Sequence, residues 1–155
     1  MISEEKMLAT ITERKAWLTA YAHKQMEKHE LLVEGWKFEI ASFYQEELRE
    51  RAGLPKLIGL CVELDKDGLW NPRIIFFPTG LRLSKWDQKQ TILHEIAHAQ
   101  THYIVGDTED HHGPTWLNQC GKIMPAAMFY RELFTYGAVL KGKGSVTENA
   151  AAAQI

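Results

Sequence analysis

The sequence predicts an α+β fold. A small sheet of about three strands, antiparallel or mixed, packs with a long N-terminal helix, a central helix and further helices toward the C-terminus. Three observations predict it. Residues 1–30 carry apolar side chains at helical spacing, residues 36–77 hold short strand-like stretches punctuated by Gly and Pro, and residues 84–136 return to helical spacing. A chain of 155 residues suits one domain with its own core. The expected organisation is a single domain over residues 1–140 and a flexible tail over 141–155.

The first helix is capped by Ser3, with Glu4 and Glu5 in the favourable first turn. Met7, Leu8, Ile11, Leu18, Tyr21 and Ala22 form its apolar stripe. Trp36 to Ile40 alternates apolar and polar, which reads as a half-buried strand. A charged segment, Gln45 to Arg51, leads to Gly53 and Pro55, and Leu57 to Leu64 reads as the second strand. Asp65-Lys66-Asp67-Gly68 is a turn signal, so the third strand, Arg73 to Phe77, should run antiparallel to the second. That strand is also a candidate sheet edge for an extended substrate, or a plain core strand. Ser84 and Asp87 then open a helix whose end is marked by Gly106. After a polar loop, Pro114 suits the first turn of a helix through Trp116, Leu117, Cys120 and Ile123, and a last helix covers Ala126 to Tyr136.

Composition excludes several classes. The net charge of -2 is not that of a protein that binds nucleic acid through bulk charge. Residues 61–110 hold eight acids and five bases, whereas residues 111–155 hold two acids and four bases, so the C-terminal part is mildly basic. Cys61 and Cys120 lack C-x-x-C spacing and read as thiols of a reducing compartment. No signal peptide or membrane-length apolar run is visible, and a cytoplasmic location is expected.

The chemistry-bearing stretch is His94-Glu95-Ile96-Ala97-His98. In a helix, positions i and i+4 share a face, so both imidazoles can reach one metal ion, and the Glu can take a proton from a metal-bound water. A catalytic zinc takes three protein ligands and keeps one position open. His102 continues the stripe but lies about 12 Å along the helix from His94, too far to share the ion. The loop after Gly106 offers Asp107, Glu109, Asp110, His111 and His112. His112 is the best placed, before Gly113-Pro114 at the mouth of a new helix; His111 is the runner-up, and the acids read as loop solvation. The longer metzincin pattern would need Gly and His where this chain has Thr101 and Ile104. Tyr103, Tyr130, Arg131 and Tyr136 are available as donors to a developing oxyanion, but sequence places none of them.

HEIAHA followed fourteen residues after His98 by His112-Gly113-Pro114-Thr115-Trp116 resembles the SprT-like metallopeptidase family, which includes the Spartan proteases. The resemblance covers about residues 30–125. It implies a zincin-like metallopeptidase core that holds zinc on His94, His98 and His112, with Glu95 as general base. It further implies hydrolysis of peptide bonds in a protein substrate, and family members of known role cleave proteins crosslinked to DNA. Many relatives add a zinc ribbon of four Cys, which two cysteines cannot build. DNA contact, if used, falls to the core surface, to the Lys122–Lys143 region or to a partner. The alternatives are a zinc-binding module with a recruitment or structural role, or a metal hydrolase acting on small amides. Glu95 argues against the module, because a structural site needs no base.

Overall fold

In the computed structural model, the described residues are 3–106 and 111–137. The expected tail over 141–155 lies outside them, as do the side chains of Met7 and Leu8. The architecture is mixed α and β, and the chain forms two compact units that divide between Ile92 and Leu93, inside the central helix.

The first unit opens with α1, Glu4–Lys28, and the Ser3 hydroxyl accepts the Lys6 N–H at 3.2 Å. Leu18, Ala22 and Met26, spaced by four, are fully buried, so the stripe is core contact. Lys85 lies over the Trp17 ring at 5.0 Å and Lys89 over Tyr21 at 5.6 Å, which sets α1 beside the start of the central helix. The sheet contains β1, Lys37–Ile40, β2, Gly59–Leu64, and β3, Trp70–Phe76, in the order β1-β3-β2. β3 pairs parallel with β1 and antiparallel with β2. The turn expected between β2 and β3 forms: Asp65 Oδ1 accepts the N–H groups of Asp67 and Leu69, and Gly68 adopts φ +78.

Three features differ from the sequence expectation. The strand at Ile74–Phe77 is central, not an edge. Its hydrogen-bonding sides are taken by β1 and β2, so a substrate strand cannot add to it. β3 also begins earlier than expected, at Trp70, and contains Pro72. That proline is tolerated because the ladder with β1 starts only at Arg73, and the pairing with β2 is irregular between Val62 and Leu64. Finally, the charged segment after β1 is a helix, α2, Phe43–Arg51. Ser42 and Gln45 close a reciprocal capping box, at 3.0 Å and 2.8 Å.

The central helix, α3, spans Lys85–Ala99. Ser84 Oγ accepts the Asp87 N–H at 3.1 Å and donates to Asp87 Oδ2 at 3.0 Å, as the sequence suggested. Its entry is fixed by Gln88, which donates to the Leu81 and Leu83 carbonyls, and by Arg14, which donates to the Leu81 carbonyl at 2.7 Å. A π turn over Gln100–Ile104 follows, and Gly106, with φ +83, ends the run. The second unit continues with α4, Pro114–Ile123, and α5, Ala126–Glu132, which passes into a second π turn, Leu133–Gly137. Its core includes Leu93, Ile96, Trp116, Leu117, Cys120, Met124 and Met128. Among the described residues no helix is long and apolar enough to cross a membrane.

Gly80 is buried after β3, and a Cβ there would stand 2.6 Å from Phe76 and 2.7 Å from Ile58. The Gly80→Ala substitution should therefore cost about 1–3 kcal/mol of stability through overpacking, measured by urea unfolding. A midpoint equal to that of the wild type would contradict this packing.

Candidate metal centre

His94 and His98 occupy one face of α3, a turn apart. Their Nε2 atoms stand 3.1 Å from each other. His112 reaches the same point from the other side of the loop: its Nε2 lies 3.2 Å from that of His98 and 3.3 Å from that of His94. His112 directly precedes the helix start that the sequence suggested. Gly113 caps α4, Pro114 starts it, and the Leu117 N–H bonds back to the Gly113 carbonyl at 2.9 Å.

The three nitrogens fit one metal ion, and these residues form the candidate cluster found among the described residues. Ligands of a tetrahedral zinc, about 2.0–2.1 Å from the ion, stand about 3.3–3.4 Å from one another. The observed triangle is within a few tenths of an ångström of that spacing. The donor set agrees: three imidazoles, each presenting one nitrogen, suit a borderline first-row ion. His111 is exposed, and its ring stacks edge-on against His102 at 5.5 Å, outside the triad. His102 lies beside His98 with ring centroids 6.1 Å apart, and is likewise not a member. Asp107, Glu109 and Asp110 lie outside the described residues.

Trp116 forms the floor. It is fully buried, its ring centroid lies 4.7, 5.1 and 4.9 Å from those of His94, His98 and His112, and its indole N–H donates to the His94 carbonyl at 3.4 Å. One rigid aromatic plate thus packs against all three imidazoles. Tyr136 stacks on His112, with ring centroids 4.3 Å apart and planes 6° from parallel. Of the four donors left unplaced by sequence, Tyr136 is the one beside the triad; Tyr103, Tyr130 and Arg131 are exposed. Burial, with the charges of Glu132 and Glu95, raises the Tyr136 pKa, so its hydroxyl stays protonated near neutral pH.

Glu132 is the residue that sequence reasoning missed. It is buried at the end of α5, and its Oε1 lies 3.1 Å from His94 Nδ1. The available signal was an acid in line with Met128 and Tyr136, at i, i+4 and i+8, on the apolar side of a helix.

Burial dominates the electrostatics. It lowers the His98 pKa well below the ordinary value, and the neighbouring His94, His112, His102 and His111 push the same way, so His98 is neutral. Burial also works against the charged form of His94, but the hydrogen bond to Glu132, with the charges of Glu95 and Glu132, outweighs it and raises the pKa. Glu95 is 6% exposed, and burial pushes its pKa up to about 6; His94 opposes this and Glu132 adds to it. A carboxylate raised to that range is a stronger base than an exposed one.

Residues 21–134 match the sequence profile of the SprT-like family. No curated protein and no solved structure matches the chain. The match spans both units and contains every residue of the His triad, Glu95 and Glu132. The chain belongs to the SprT-like family.

Proposed function

We propose that this protein is a zinc metallopeptidase in which His94, His98 and His112 hold the ion and Glu95 is the general base. The observation that carries the reading is the convergence of three Nε2 atoms within 3.3 Å of one another beside a buried carboxylate with a raised pKa. Zinc bound by three neutral imidazoles supplies Lewis acidity, lowering the pKa of a water toward about 7 and polarising a carbonyl.

The chain's own groups perform the proton chemistry. Glu95 takes a proton from the attacking water as its oxygen bonds the scissile carbonyl carbon. It returns that proton to the amide nitrogen as the C–N bond breaks. Its buried surroundings strengthen it as a base, while a neighbouring dication favours its ionised form. Tyr136, protonated and stacked on His112, is a candidate O–H donor for the developing oxyanion.

The target class we propose is DNA-associated protein, acted on in the cytoplasm. Lys122 and Arg131 are exposed, as are Tyr130, next to Arg131 in the chain, at 65% and Phe134, three residues further on, at 84%. Exposed aromatic rings and cations on one stretch of chain are the residue types that bind unpaired bases and phosphates of single-stranded DNA. The other bases of the basic C-terminal region, Lys141 and Lys143, lie outside the described residues.

Three outcomes are expected. Zinc stoichiometry should fall from one per chain toward zero in His112→Ala and stay at one in His111→Ala, as read by metal analysis after dialysis. Glu95→Gln should retain zinc and lose about 10²–10⁴-fold in the rate of casein or histone cleavage, measured with and without single-stranded DNA. Cleavage at an unchanged rate would remove Glu95 from the mechanism, and a zinc-loaded wild type that cleaves neither substrate would favour a binding module. Chelation should abolish cleavage by the wild type, and added zinc should restore it.

A further inference from the structure

Beyond the ligands and the base, we infer that Glu132 is a positioning residue of the metal centre, accepting the Nδ1–H of His94 and so presenting Nε2 of that ring to His98 and His112. The inference rests on the reading of the triad as a metal site.

A neutral imidazole carries one proton and one lone pair, and the partner of one nitrogen decides which form is present. Nε2 of His94 must be the lone pair if it is a ligand, so the proton must sit on Nδ1. Glu132 Oε1 stands 3.1 Å from that atom. The contact is inside the protein: the Glu132 side chain is 7% exposed and the His94 side chain 17%. A buried carboxylate is costly unless paired, and here its partner is the proton that selects the ligating tautomer. Negative charge on Glu132 also makes the ring a stronger donor.

The position in the chain supports a dedicated role. Glu132 lies 38 residues from His94, on a helix that follows both halves of the His motif. Tyr136, one turn further, stacks on His112. The end of α5 and its π turn therefore touch two of the three rings, although that segment contributes no ligand.

The test measures zinc affinity of the full-length chain by competition with a chromophoric chelator. Glu132→Gln keeps an acceptor oxygen and removes the charge; Glu132→Leu removes both. The expected order is wild type, then Gln weaker by about 10-fold, then Leu weaker by about 100-fold, with circular dichroism showing folded protein. Long-range ¹H–¹⁵N spectra of the zinc-loaded wild type should show His94 protonated at Nδ1 and metal-bound at Nε2. A folded Leu variant that binds zinc within twofold of the wild type overturns the inference, as does a wild-type spectrum with the metal on His94 Nδ1. If the Leu variant does not fold, the Gln variant and the wild-type spectrum decide. Wild-type protein that binds zinc through the triad, shows the expected affinity order and cleaves nothing would overturn the peptidase reading while leaving the role of Glu132 standing.

Discussion

Three imidazole nitrogens within 3.3 Å of one another are the constraint on which the second unit depends. Lone pairs at that distance repel unless a proton or a cation stands between them. Each surrounding element helps to hold the three rings in place. Helical geometry sets His94 against His98. His112 directly precedes the Gly113-Pro114 start of α4, Trp116 packs against all three rings, and α5 brings Glu132 to the far nitrogen of His94. Removing water from such a cluster strengthens every charge effect within it.

The same burial acts on both groups that the proposed function uses. It disfavours a charged His98, as the proposed role of neutral ligand would require, and it disfavours a charged Glu95, as the proposed role of base would favour. No separate device is needed for each. Glu132 is the exception to the trend, a buried acid matched to a ring proton, and its charge raises His94 where burial alone would lower it.

The first unit is organised around a different problem, the launch of α3. A 3-10 turn over Pro78–Arg82 leads out of β3, and its Leu81 carbonyl accepts from both Arg14 and Gln88. Buried Gln88 also takes the Leu83 carbonyl, and Ser84 closes the first turn of the helix. These bonds satisfy backbone groups that a sharp strand-to-helix connection leaves exposed inside the protein. Gly80 is required there by space and not by conformation, because the Phe76 ring and Ile58 fill the volume that a side chain would need.

Much of this was legible in the residues. The i, i+4 spacing of His94 and His98, the Ser3 and Ser84 caps, the Asp65–Gly68 turn and the Pro114 helix start are local features, and local sterics and hydrogen bonding decide them. His112, and not His111, joins the His94–His98 pair, and the local feature that the sequence offers for it is the Gly113-Pro114 helix start that follows. The α2 helix was legible in principle from Ser42 and Gln45, but its charged face carries no apolar stripe to announce it. What only the tertiary structure decided were pairings between distant segments: β3 at the centre of the sheet, Trp116 under three rings, and Glu132 against His94 from 38 residues away. A single sequence records what each residue prefers beside its neighbours. It does not record which distant surface a helix face will meet, because that is settled by packing the whole core at once.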